Sequence, residues 1–283
     1  GILGITASSL LNLAKAGAGA VVTKSIGLKP CLGYSNPTIV QANCGFINAM
    51  GLPNPGIDAF KEEIRRYKAE TDVPLIVSVY GFSPKEYAKV SSLAVENGAD
   101  AVELNVSCPH AEKTGAEIGQ DPKMLAEVVK EVKEKVDKPV FVKLTPNVTN
   151  IIELAKTAEN AGADAITAIN TVKAMAIDTE TTYPILANKI GGLSGPAIKP
   201  IAVRCVYEIY REVKIPVVGC GGITSWRDAV EFMLAGASAV QIGTAIAHKG
   251  TCVFKSVTKG IEAYIKKKGF KSVKEIVGLS HRH

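Results

Sequence analysis

Two kinds of strand lead-in alternate along this chain, and together they leave few folds open. Gly-Ala-x-Ala followed by Val or Ile occurs four times, at Gly17 to Val21, Gly98 to Val102, Gly162 to Ile166 and Gly236 to Val240. Each closes an amphipathic stretch and opens an apolar run. Between them, Val73-Pro74, Lys138-Pro139 and Ile215-Pro216 open apolar runs of their own. Small residues let a helix end pack closely on a sheet, and a proline at a strand's first position forfeits no ladder hydrogen bond. Both are sound ways into a buried parallel strand. The order Gly, Pro, Gly, Pro, Gly, Pro, Gly predicts an α/β fold, the eight-stranded (β/α)8 TIM barrel, with seven of its strands visible. Parity puts a Pro-type strand ahead of the first Gly-type one, so the first barrel strand is expected upstream of Gly1.

Composition permits this. With 283 residues, 47% hydrophobic and 21% charged, and no composition shift, the chain is expected to form one domain over 1–283. No apolar stretch reaches the ~18 residues needed to cross a bilayer, and nothing resembles a signal peptide, although a lost N-terminal extension stays open. The cysteines Cys31, Cys44, Cys108, Cys205, Cys220 and Cys252 lack CxxC or CxxH spacing, so no metal site or iron–sulfur cluster is expected in this chain, and reduced thiols point to the cytoplasm. Cys31, Cys44, Cys205 and Cys252 read as small buried hydrophobes, and Cys220 as structural. The net charge is +6, but the cluster Lys266 to Lys268 with Lys271 is expected on a final, solvated helix rather than in a nucleic-acid site.

Barrel enzymes work at the carboxyl ends of their strands, so the residues just past each apolar run are the candidates. These are Thr23-Lys24-Ser25, Ser78 to Gly81, Asn105 to Cys108, Lys143, Asn170-Thr171, Gly219 to Gly222 and Gly243-Thr244. Gly221-Gly222 and Gly243-Thr244 leave backbone N–H groups free at helix starts after the last two strands, the usual phosphate end of such a barrel. A phosphorylated substrate or cofactor would suit them equally, and tight turn geometry alone also explains glycines there. Lys143 is placed to stabilise negative charge on a bound ring, such as the N1–C2 edge of a reduced flavin. The other reading of Lys143 is an ion pair with a carboxylate inside the barrel.

The segment NVSCPHAEKTGAEIG from Asn105 ends a buried strand at Cys108 and continues as a polar loop, about 108–120, long enough to cover the mouth. A cysteine so placed can be a nucleophile, a redox thiol or a general base. Its ordinary pKa of about 8.5 would make activity rise with pH. An insertion at about 29–56 contains NCGFINAMGLPNPG, where a short hairpin would bring Asn48 and the Met50-Gly51-Leu52 backbone over the mouth.

TKSIG at Thr23, NAMGLPNPG at Asn48, NVSCP at Asn105, VKLTPN at Val142, INT at Ile169, PILANKIGGLSGPAIKP at Pro184, GCGGI at Gly219 and QIGTA at Gln241 together resemble the dihydroorotate dehydrogenase family, nearly end to end. The resemblance implies an FMN-binding barrel of pyrimidine biosynthesis that oxidises (S)-dihydroorotate to orotate, with a base taking the C5 proton while the C6 hydride passes to flavin N5. It assigns Cys108 as that base, where the membrane-bound class has serine. It places Lys24, Asn48, Ala49, Met50, Gly51, Leu52, Asn105, Asn170 and Thr171 on the substrate. It places Lys24, Ser25, Ser78, Asn105, Lys143, Ile169, Gly195, Gly221, Gly222, Gly243 and Thr244 around FMN, the last four at its phosphate. The stretch from Pro184 is similar to class 1B, which implies a second subunit carrying FAD and a 2Fe–2S cluster and passing electrons to NAD, around a homodimer core of a heterotetramer. His110 stands where the family usually has Asn, which puts one substrate hydrogen bond in question. Competing expectations are a dihydropyrimidine dehydrogenase-like enzyme, a tRNA dihydrouridine synthase, and a non-redox phosphate-binding barrel, which would be colourless. No nucleic acid or membrane partner is expected.

Overall fold

The computed structural model describes residues 2–107 and 118–282. Seven parallel strands form one sheet in the order β1 (Val21–Val22), β4 (Leu75–Val79), β5 (Ala101–Asn105), β6 (Val140–Leu144), β7 (Ala165–Ala168), β10 (Val217–Cys220) and β11 (Ala237–Gln241). Each begins at one of the seven predicted lead-ins. The backbone explains the alternation. The leading glycines Gly17, Gly98, Gly162 and Gly236 all have positive φ, from +97° to +122°, where a side chain is strained. The prolines donate nothing but accept: Pro74 O takes Val21 N–H, Pro139 O takes Val102 N–H and Pro216 O takes Ile166 N–H, each at 3.0 Å. A Pro-type strand thus keeps its first ladder bond to the Gly-type neighbour, because the proline supplies the carbonyl.

Two lead-ins carry an aspartate that repeats one clamp. Asp100 Oδ2 accepts Leu75 N–H at 2.7 Å and pairs with Lys68, and Asp164 Oδ2 accepts Val140 N–H at 2.7 Å and pairs with Lys133. Helices α1 (Ala7–Lys15), α2 (Ile57–Glu70), α3 (Pro84–Glu96), α4 (Pro122–Lys135), α5 (Ile151–Asn160), α6 (Lys199–Tyr210) and α7 (Trp226–Ala235) alternate with the strands, followed by α8 (Ala245–Lys249) and α9 (Val253–Lys268). Their starts are chemically marked: Ser83, Asp121, Asn150 and Ser225 cap α3, α4, α5 and α7 by accepting N–H groups of the first turn. Apolar faces such as Ile57, Phe60, Ile64 and Tyr67 of α2 are fully buried. So are the outward residues of the sheet, Val102, Leu104, Val142 and Ile166.

The inner face is polar and shows that the sheet is curled. Gln241 on β11 donates from Nε2 to Glu103 Oε2 on β5 at 2.5 Å, although β6, β7 and β10 lie between those strands. The exposed Lys266 to Lys268 end α9 as expected.

The insertion forms the expected hairpin, β2 (Ile39–Ala42) and β3 (Gly45–Asn48). The hairpin does not stand alone. β9 (Ile190–Ser194) and β8 (Val172–Met175) complete an antiparallel sheet in the order β2, β3, β9, β8, tying the insertion to the segment after β7. Asn54 anchors the end of the insertion. Its Oδ1 accepts Gly27 N–H (3.2 Å) and Gly56 N–H (2.9 Å), and its Nδ2 donates to Leu52 O (2.9 Å) and the Tyr80 hydroxyl (2.8 Å). Asn54→Ala leaves these buried groups without a partner and is expected to destabilise the protein by roughly 1–3 kcal/mol. Urea unfolding measures that loss, and limited proteolysis should show faster cleavage within 29–56.

Candidate functional site

The carboxyl ends of the strands gather most of the predicted residues into a continuous polar lining. Ser25 Oγ, just past β1, lies 2.9 Å from Ser78 Oγ on β4, and it accepts Asn105 Nδ2 from the end of β5 at 3.0 Å. Asn105 Oδ1 in turn accepts Asn170 Nδ2 at 3.2 Å, from the end of β7. One chain of side chains therefore runs Ser78, Ser25, Asn105, Asn170 across four strand ends. Parity explains it: Glu103 and Asn105 share the inner face of β5, while Val102 and Leu104 face the helices.

Lys24, at the end of β1, forms no ion pair among the described residues. Burial holds its pKa below the ordinary lysine value. A half-buried cation without a counter-charge calls for an anionic ligand. On the other side of the mouth, Asn48 Nδ2 donates to Gly192 O at 3.3 Å. Gly192 also abuts Thr171, since a Cβ there would fall 2.1 Å from Thr171 Oγ1. The four-stranded sheet thereby brings Asn48 and Thr171 together through a glycine. The Ala49 to Leu52 backbone is pinned beside them: Ala49 N–H donates to Thr38 O at 2.8 Å, and Met50 O accepts Tyr34 N–H at 3.0 Å. Gly51 (φ +71°) and Leu52 (φ +57°) are both left-handed. For Leu52 that costs about 1–2 kcal/mol, offset by the Asn54 amide on its carbonyl.

The two loops assigned to a phosphate, Gly221-Gly222 and Gly243-Thr244, meet at Gly195. A Cβ on Gly222 would lie 2.7 Å from Gly195 O, and one on Gly195 would lie 3.5 Å from Thr244 Cγ2. Gly221 and Gly222 have φ of +137° and +73°, and a Cβ on Gly243 would meet only the Ile2 side chain, at 3.6 Å. Ile169 is buried beneath this end and donates its N–H to Cys220 O at 2.8 Å.

Lys143 has a partner that sequence reasoning did not name. Its Nζ lies 3.5 Å from Glu103 Oε1 and donates to Gln241 Oε1 at 3.0 Å, while Thr167 Oγ1 donates to Glu103 Oε2 at 2.9 Å. The internal ion pair is thus what the structure contains, yet 19% of the Lys143 side chain remains exposed against 1% of Glu103. Burial works against the ammonium, but the neighbouring Cys220 and Glu103 outweigh it, so the Lys143 pKa lies above its ordinary value. Glu103 hides within the apolar run AVELNV, but its place two residues before Asn105 marks it as inward-facing. Asn147 was also missed: it donates to Thr171 O (3.0 Å) and accepts Lys173 N–H (2.9 Å), linking the β6 end to β8.

The cysteine readings need correction. Cys205 is fully buried, with its thiol pushed up to about 11 chiefly by burial, but Cys44 and Cys252 are exposed and Cys31 is half-buried. Cys220 borders Lys143 in the mouth rather than serving the turn alone. Cys108 and His110, with the loop to residue 117, lie outside the described residues.

Residues 1–265 match the family described as dihydroorotate dehydrogenase. Over 280 residues the chain is 56% identical to the catalytic subunit of dihydroorotate dehydrogenase B (NAD(+)) of Pyrococcus abyssi, covering 99% of this chain and 93% of that protein. It is 55% identical to the subunit of the same name in Pyrococcus furiosus, over 100% of this chain and 93% of that protein. The one in Methanothermobacter thermautotrophicus is also 55% identical, over 99% and 92%.

The glycine loop at Gly221-Gly222 is braced from behind by Asp228. That carboxylate accepts from Lys199 Nζ (2.9 Å) and from the N–H and hydroxyl groups of Thr224 and Ser225 (2.8–3.0 Å). Burial raises its pKa, but these donors more than offset that and hold it at about 2, against an ordinary 3.8. A depressed folded-state pKa contributes stability above the unfolded value and loses it as pH falls through the folded one. The stability lead of the parent over Asp228→Asn should therefore be full near neutral pH and shrink from pH 3.8 toward 2. Denaturant unfolding across that window measures it, and a lead independent of pH would contradict the assignment.

Proposed function

The chain belongs to the dihydroorotate dehydrogenase family, and from that premise we propose that it is the FMN-carrying catalytic subunit of a class 1B enzyme, oxidising (S)-dihydroorotate to orotate. The observation that carries this reading is Lys24 at the end of β1, a partly buried cation with no ion pair among the described residues. Dihydroorotate is a small anion whose ring amides need both donors and acceptors, and asparagine side chains supply both. Lys24 would hold the carboxylate, while Asn48, Asn105, Asn170 and Thr171, with the Ala49 to Leu52 backbone, would hold the ring. Ser25, Ser78, Lys143, Ile169 and Gly195 would line FMN, with Gly221, Gly222, Gly243 and Thr244 at its phosphate. The glycine loops at one end of the mouth and a cation at its middle fit an elongated anionic cofactor. Bound FMN supplies the acceptor for the substrate's C6 hydride.

Cys108 takes the C5 proton on this reading. The polar chain from Ser78 to Asn170 orients the ring. The curled seven-stranded sheet, with β1 and β11 at its two ends, supports reading the fold as the (β/α)8 barrel of this family. The subunit names of the relatives support a partner chain, which on the class 1B reading carries FAD and 2Fe–2S and passes electrons to NAD around a homodimer core. No described helix is long and apolar enough to cross a membrane, and the free cysteines among the described residues suit the reducing cytoplasm.

An anaerobic visible spectrum tests the proposal. The purified protein should show a flavin band that bleaches with dihydroorotate and not with dihydrouracil. A band that stays oxidised removes the substrate assignment, and a colourless protein that takes up no FMN removes the flavin. Cys108→Ala should keep the flavin and slow its reduction by roughly 10²-fold or more, in the range for a lost general base. Lys24→Ala should weaken orotate binding at least tenfold, and unchanged affinity in a binding titration would take Lys24 out of the substrate site.

A further inference from the structure

Glu103 is a buried carboxylate that the reaction described above does not use. Its side chain is 1% exposed, and every contact it makes holds it in one place: Thr167 and Gln241 both donate to Oε2, and Lys143 pairs with Oε1. Gln241 works as an adaptor, accepting from Lys143 through Oε1 and donating to Glu103 through Nε2. Its amide has one orientation because opposite charges stand at its two ends. Among the described residues, the titratable groups facing Lys143 are Glu103 from β5 and Cys220 from β10. Gln241 from β11 and Thr167 from β7 are neutral.

We propose that Glu103 is a positioning residue of the flavin site, fixing the Lys143 ammonium at the mouth directly and through Gln241. This rests on the flavin reading given above. A buried ammonium without a counter-charge gives up its proton, and one paired to a carboxylate keeps it. With Glu103 present, Lys143 is charged both before and after two electrons arrive, and a single proton accompanies them to the flavin. In Glu103→Gln the new amide turns an NH2 toward either Gln241 or Lys143, so the adaptor reverses and the ammonium loses its partner. Lys143 then holds its proton less tightly, and at a pH above its lowered pKa it is neutral before the electrons arrive and takes up a second proton with them.

Two measurements test this. In flavin-free protein labelled at the lysine ε-carbon, with the Lys143 signal assigned by its loss in Lys143→Met, Lys143 should titrate above 10.5 in the parent and at least one pH unit lower in Glu103→Gln. In the FMN-loaded protein, the midpoint potential of the parent should fall with pH as one proton per two electrons, and that of Glu103→Gln should become twice as steep at the pH where the variant's Lys143 loses its proton. An effect confined to packing would lower stability and leave both readouts unchanged, and that result overturns the proposal. If Glu103→Gln does not fold, the parent alone decides, since a Lys143 that titrates below 10.5 sinks the idea. Protein that takes up no FMN overturns the functional reading. Protein that takes up FMN with an unresponsive Lys143 overturns only the role of Glu103.

Discussion

The inner face of the sheet is organised around a carboxylate removed from water. Burying an ionised carboxylate costs several kcal/mol after relaxation, and that cost is offset only when its oxygens are satisfied and a counter-charge is close. Glu103 meets both conditions with groups from three other strands, Lys143 on β6, Thr167 on β7 and Gln241 on β11. Because Gln241 must reach across three intervening strands, the contact forms only when the sheet is curled. Curvature and charge therefore depend on each other. A flatter sheet would leave Glu103 unsatisfied, and without Glu103 the polar inner face would have no common partner.

The same contact sets which residues reach the mouth. With Glu103 directed inward, the two-residue period puts Asn105 inward one step nearer the carboxyl end, where it meets Ser25 and Asn170. A one-residue slip would turn both outward among the helices and bring Leu104 into the polar interior. The lead-ins guard against that slip. Positive-φ glycines end the helices at defined points, prolines accept the first ladder bond of the neighbouring strand, and Asp100 and Asp164 clamp strand starts to the lysines of the preceding helices.

How much of this is legible in the sequence follows from the range of each interaction. The seven strand starts are local events of backbone conformation and proline chemistry, so they can be seen in short stretches, as can the β2–β3 hairpin around Asn43 and Cys44. The pairing of β3 of that hairpin with β9 joins residues as far apart as Phe46 and Ser194, separated by 148 positions, and no local pattern specifies it. Glu103 is masked in the sequence by the apolar run around it, and only its inward parity with Asn105 marks it. The cysteines were misjudged for a related reason. Burial of a small side chain depends on what the rest of the chain packs over it, and among the described residues Cys44 and Cys252 stay exposed.

The two lysines of the mouth show how alike residues are given different work. Lys143 is balanced by Glu103, so that pair adds no net charge and the site stays neutral where it is most enclosed. Lys24 has no such balance among the described residues, and burial depresses its pKa. An anion bound beside Lys24 gains the attraction of an unpaired cation and also restores that cation's own preference for its proton, so binding and charging reinforce each other. An anion beside Lys143 would have to compete with Glu103. The geometry therefore separates a cation with no counter-charge among the described residues, Lys24, from one that is already balanced, Lys143, and on the proposed function the first would meet the substrate carboxylate and the second charge that develops later.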